Sequence, residues 1–186
     1  MKIKLLHLSF VIAIFLGGCT TEQTTVQIVR NPLVTFTFNG NSSWKANNYS
    51  FAPVSKVVVY PQDTTQPGQL YNRLTLQATG TDSLNNTYQF ILTFDAVDMN
   101  QLTGVYSPLY SSMRGIDNVQ LFNLTNSSDL SAYALYKNSA NAVLQIQKQD
   151  IDETLITGTF QMTLYNTRDT TQKIKITNGI LRDITY

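Results

Sequence analysis

The chain has 186 residues, 13 Lys+Arg against 12 Asp+Glu, and a charged fraction of 13 %, about half the share usual in soluble domains. This near-neutral balance, with no basic cluster, excludes a nucleic-acid partner, which needs many Lys and Arg contacts to phosphate. The single histidine, His7, and the single cysteine, Cys19, both precede the body of the chain. Residues 33–186 therefore hold no Ser-His-Asp triad, no thiol nucleophile and no Cys/His zinc site, and neither a cofactor nor a metal is expected.

The first element is a leader. Lys2 and Lys4 are basic, Leu5–Leu16 is apolar apart from His7 and Ser9, and the small residues Gly17 and Gly18 follow, the order of a secretory signal. The apolar run is shorter than the roughly 20 residues that span a bilayer. Leu16-Gly17-Gly18-Cys19 resembles the lipobox of bacterial lipoproteins, and the cysteine at the junction favours that reading over simple secretion. The resemblance implies cleavage before Cys19, diacylglycerol on its sulfur and an acylated amino terminus, with a palmitate-type chain as the acyl group. At about 0.8 kcal/mol per buried methylene, more than one chain anchors stably. Thr20 stands where an aspartate would retain such a protein at the inner membrane, so the resemblance implies the outer membrane. Only Glu22 lies nearby, too little for an acidic surface-export cluster, and both the periplasmic and the extracellular face stay open. Cleavage removes Lys2, Lys4 and His7, so 13 basic residues less two leaves 11 against 12 acidic, and 186 less 18 leaves 168 residues, enough for one domain with a core. The expected organisation is residues 1–18 as signal peptide, 19–32 as lipidated cysteine and flexible tether, and 33–186 as the domain.

Beyond the tether, strand-length runs alternate with turn residues. Val34–Phe38 alternates and ends at Asn39-Gly40, a turn signal. Trp44–Phe51 and Lys56–Tyr60 follow, with a loop over Gln62–Gly68. Leu70–Thr79 places Leu74, Leu76 and Ala78 on one face, and Gly80–Asn86 is read as a turn. Tyr88, Phe90, Leu92 and Phe94 share a face, the clearest period-2 signal in the chain. Strands are expected around Val105-Tyr106, Val119–Leu124, Ala132–Tyr136 and Ala142–Lys148. Ile156, Gly158, Phe160, Met162 and Leu164 form another alternating face. Lys173–Thr177 and Ile180–Tyr186 around Asn178-Gly179 read as a terminal hairpin. Only short helical turns are expected, near Val97–Leu102 and Ser127–Leu130. About ten strands at this spacing predict an all-β domain, a single antiparallel sandwich or barrel.

The residues Phe36-x-x-Asn39-Gly40, Trp44-Lys45-Ala46, Gly104-Val105-Tyr106, Ile156-Thr157-Gly158-Thr159-Phe160 and Ile176-Thr177-Asn178-Gly179 resemble a group of uncharacterised lipoproteins of Bacteroidetes. The resemblance covers roughly residues 33–186 and departs around Pro61–Gly68. It implies a lipobox, a short tether and one antiparallel β-domain of lipocalin-like size, and no activity.

Carboxylates are the remaining chemistry. Asp95 and Asp98 follow one strand, and Asp150, Asp152 and Glu153 sit in a turn. A glycosidase pair or a calcium site is weighed there against turn capping, which is the commoner role of aspartate at strand ends. Trp44 is read as core or hairpin staple ahead of a sugar platform. Tyr60, Tyr71, Tyr106 and Tyr110 border loops, and with Trp44 they are the candidate aromatic binding rim. The expected function is a non-enzymatic binding or accessory domain of the cell envelope, held to the membrane through Cys19 and meeting a protein or glycan partner through loops and aromatic edges. The alternatives are a lipocalin-like carrier of a small apolar ligand, which needs an unfilled barrel, and a carboxylate-dependent glycan hydrolase.

Overall fold

The computed structural model describes residues 30–60, 68–110, 113–125, 132–136 and 140–186. The leader, Cys19 and the tether up to residue 29 lie outside these residues, as do most of the 61–68 loop and the turn expected over Ser127–Leu130. Eleven strands follow in order: β1 Leu33–Phe38, β2 Ser42–Phe51, β3 Ser55–Val59, β4 Gln69–Asp82, β5 Thr87–Ala96, β6 Gly104–Tyr106, β7 Arg114–Asn123, β8 Ala132–Ala134, β9 Ala142–Asp150, β10 Leu155–Asn166 and β11 Lys173–Thr185. No helix occurs among the described residues.

Of the sandwich and the barrel, the chain forms the barrel. Every pairing is antiparallel, the order runs β11-β1-β2-β4-β5-β7-β8-β10, and β10 pairs again with β11 to close the ring of eight strands. Three strands are added to it. β3 continues the edge of β4 beyond the end of β2, and β9 then β6 extend from β10.

Alternation decides which side chain fills the barrel. Phe36, Trp44, Leu74, Leu76, Phe90, Leu92, Phe94, Phe160, Met162 and Leu164 are all buried, while Arg73, Thr75, Gln77, Thr79 and Thr81 of β4 take the outward positions. An apolar inside and a polar outside is the reverse of a membrane-spanning barrel. The interior is filled by rings. Phe36 stacks on Trp44 at 4.5 Å and 19°, Phe90 stacks on Phe160 at 5.4 Å and 13°, and Phe36 contacts Phe90 at 5.2 Å.

Two expectations change. Lys173–Tyr186 is not a hairpin, because β11 runs unbroken and Asn178-Gly179 forms a bulge in it. Between Phe160↔Gly179 and Met162↔Ile176 the strand carries one extra residue, and the same extra residue appears against β1. Asn178 takes φ 52°, and a Cβ at Gly179 would strike the Phe160 ring, so the glycine admits the ring and the bulge bends the strand around it. β7 begins at Arg114, five residues before the expected Val119. Its alternation is hidden by a second bulge, at Asp117 between Phe94↔Ile116 and Thr93↔Asn118.

The barrel has two ends. At one, termed the near end, the chain enters at Arg30–Leu33 and leaves at Tyr186. The β3–β4 hairpin, residues 97–103 and the β9–β10 turn lie at the same end. At the far end are the turns 39–41, 83–86 and 167–172.

Candidate functional site

Two groups of side chains stand out on the outer wall. The first is a clamp at the near end. Arg73 of β4 lies directly across from Asp95 of β5 and grips it with two bonds, Nε to Oδ1 at 2.9 Å and Nη2 to Oδ2 at 2.8 Å. The same Nη2 reaches Asp117 Oδ1 at 2.9 Å, an approach the bulge at that residue allows. Tyr110 donates its hydroxyl to Asp95 Oδ2 at 2.6 Å, and its ring lies on Gly115, where a Cβ would collide with it. Tyr71 meets Tyr110 edge to face at 5.6 Å.

Asp95 is wholly buried, and an isolated carboxylate there would be costly. The bidentate guanidinium and the phenol supply its compensation. The bond to Asp95 raises the Arg73 pKa above its usual range and keeps the guanidinium charged. Burial, then the bond to Asp95, pushes the Tyr110 hydroxyl far above the ordinary phenol range, and burial also raises Tyr71. Both carboxylates are thus held by one cation, and the phenol beside them stays protonated. The clamp fastens the root of the β3–β4 hairpin and the 107–110 segment to the wall, and it has no unengaged acid to act on a substrate.

Three further aspartates serve turns. Asp98 accepts from Asn100 N at 2.8 Å, Asp150 from Glu153 N at 3.1 Å, and Asp82 from Leu84 N and Asn86 N at 2.9 and 2.8 Å. Among the described residues no three His, Cys, Asp or Glu side chains converge as cation ligands.

The second group is a strip along the outward face of β10. Thr159 lies opposite Gln145 of β9 and Ile180 of β11, and Gln161 lies opposite Val143. Together with Asn178 these residues line an open groove of about 480 Å³. Val143 and Gln161 also line an adjoining groove of about 230 Å³ with Asn141, Thr163 and Lys175. The strip ends at the far end on Tyr165, whose ring meets the exposed Tyr136 edge to face at 5.9 Å. Its lining is amide, hydroxyl and aliphatic. Lys173 and Lys175 border it, and among the described residues its lining holds no carboxylate.

Compared with known proteins, the chain matches no family model, no curated protein and no solved structure. Function is therefore argued from the sites themselves.

The five residues named as an aromatic rim are not brought together. Trp44 and Tyr106 alternate inward and are buried, Trp44 under Phe36 and Tyr106 with its hydroxyl donating to Leu102 O at 2.7 Å. Burial pushes Tyr106 up to about 12. Tyr71 and Tyr110 meet in the clamp, and Tyr60 alone is widely exposed, at 74 %. The sequence reading missed Arg73, Gly115 and Asp117. An isolated glycine within a strand was the available signal for a close approach, and Arg114-Gly115 carried it. The Tyr136–Tyr165 pair was also missed, because it joins β10 to the segment just after β8, 29 residues earlier.

Proposed function

We propose that the protein is a non-enzymatic binding module of the cell envelope, anchored by lipid at Cys19 to the outer membrane, that holds a glycan strand along the outward face of β10. The observation that carries this reading is the strip itself: a run of neutral hydrogen-bonding side chains with aliphatic floor at Val143 and Ile180, ending on the half-buried Tyr165 and the exposed Tyr136. Neutral amides and hydroxyls match the hydroxyl-rich edges of a sugar, and an aromatic face matches its apolar C–H face. The polar outer wall supports tethering rather than spanning. The ring-filled interior speaks for the wall, not the lumen, as the contact surface, and so against an apolar carrier. The Arg73 grip on Asp95 and Asp117 speaks against a hydrolase, because a glycosidase needs one carboxyl free to give a proton. The test is binding of envelope polysaccharides and peptidoglycan fragments to the full-length protein on a glycan array. Retention of a glycan class, weakened at least about tenfold, or 1.4 kcal/mol, by Gln161→Ala and by Tyr136→Ala, is expected. Retention of none, or retention indifferent to both substitutions, contradicts the reading.

A further inference from the structure

The β3–β4 hairpin leaves an apolar surface uncovered. Val58 and Leu70 are cross-strand partners and stand 55 % and 51 % exposed. The Val58 methyl and the Tyr60 ring close over Gly68, lying 2.6 and 2.8 Å from where its Cβ would be, so the three side chains make one patch. The opposite face of the hairpin is fixed, since Tyr71 is buried against Tyr110. Among the described residues β3 pairs only with β4, and Gln69–Tyr71 extend past the last residue of β4 paired to β5, Asn72. The hairpin is thus an arm held rigidly beyond the barrel wall, with apolar side chains on its free face.

Where the chain enters identifies what covers this arm. Arg30 bonds to Glu153 of the β9–β10 turn at 2.8 Å, and Leu33 pairs with Arg182, both at the near end. From Cys19 to Arg30 the chain has eleven residue steps, a reach of at most about 40 Å. The twelve residues of β10 span about 40 Å along the strand, or about 30 Å between the barrel ends once strand tilt is counted. An anchor at Cys19 therefore brings the near end to a bilayer easily and the far end only with most of that reach taken up.

We propose that the β3–β4 arm is a second membrane contact, with Val58, Tyr60 and Leu70 entering the boundary between headgroups and acyl chains. This inference rests on the lipid-anchor reading above. Tyrosine suits that boundary because its ring is apolar and its hydroxyl stays wet. Lys56, two residues from Val58 on the same face and exposed, places an ammonium among headgroup phosphates while its methylenes lie on the patch. The arm enters rather than the β9–β10 turn, because Ile151 there is flanked by Asp150, Asp152 and Glu153. The clamp sets the angle of the arm, and the arm sets the barrel upright, which lifts the β10 strip and the Tyr136–Tyr165 pair away from the lipid.

The test uses the full-length lipidated protein in vesicles of phosphatidylethanolamine with a minor fraction of phosphatidylglycerol. Nitroxide labels are placed singly through Tyr60→Cys, Leu70→Cys and, as the far-end reference, Leu84→Cys, a position 74 % exposed. The acylated sulfur of Cys19 does not take the label. The oxygen-to-nickel-chelate accessibility ratio is expected to be several-fold higher at positions 60 and 70 than at 84. Equal ratios at all three overturn the proposal while the anchor stands. Labels at 60 and 70 shielded from oxygen and chelate alike also overturn it, because a second copy or another protein then covers the arm. Intact mass of the same sample showing an unacylated Cys19 removes the anchor reading, and the proposal with it.

Discussion

The two ends of the barrel are closed by different means. At the far end the described turns 39–41, 83–86 and 167–172 are tight and satisfy themselves. Asn39 and Gly40 take φ 49° and 78°, with Asn39 Oδ1 accepting from Lys175 N at 2.8 Å. Asp82 and Asn166 accept from the amides of their own turns. Such turns place little above the wall. At the near end Asp98 and Asp150 cap turns in the same way, but the connection between β3 and β4 is longer, and the arm it belongs to projects. That arm is held by an ion pair, a phenol and a glycine rather than by turn geometry. Local chemistry suffices to end a strand, but a projecting arm needs contacts from elements distant in sequence, and here those contacts are charged and buried.

This contrast can be broken from its centre or from its near end. The largest effect is expected from Phe90→Ala, which empties part of the ring stack between both ends. A loss of about 3–5 kcal/mol should appear in urea unfolding, with amide exchange rising throughout the barrel. Arg73→Ala should cost a comparable 3–5 kcal/mol, because it leaves Asp95 buried without its cation and with only the Tyr110 hydroxyl as partner. Its exchange should rise first in β3, β4 and the segment near Tyr110, and uniform loss of protection would contradict the separation of the two ends.

Alkaline titration gives the next effect. Tyr106 and Tyr110 have folded pKa values above the unfolded value near 10. The stability they contribute is complete below about pH 10 and is lost as pH rises, because the unfolded chain releases those protons first. For Tyr106, raised to about 12 by burial, the loss amounts to about 2–3 kcal/mol. The melting temperature should hold between pH 7 and about 9.5 and fall above pH 10, and Tyr106→Phe should make that fall shallower. The smallest effect is expected from Tyr110→Phe, which removes one hydrogen bond to a carboxylate and leaves the ring on Gly115. About 1–3 kcal/mol is expected, confined in exchange to the near end.

Much of the wall was legible because alternation is a local property. Val34–Phe38, Tyr88–Phe94 and Ile156–Leu164 each carry a period of two, and each is a strand with the expected face inward. Asn178-Gly179 misled because the same dipeptide serves a hairpin turn and a bulge. What decides between them is the Phe160 ring lying against Gly179, a contact between two strands. Barrel closure by β10 against β11 and β1 against β11 is equally non-local. The clamp was hidden for the same reason. Asp95 was noticed as an acid at a strand end, but its partner Arg73 lies 22 residues earlier and meets it only once register is set. The tyrosines were found by type and misplaced by face, since Tyr106 borders a loop in sequence and points inward in the fold.

The proposed distinction between a membrane-facing end and a glycan-facing wall begins at Cys19. The measurement that tests it most directly is the intact and peptide mass of the protein purified from its own envelope. Cleavage before Cys19 with a diacylglycerol and an amide-linked acyl chain on that residue is the predicted result, and an uncleaved leader or a bare thiol at position 19 contradicts it.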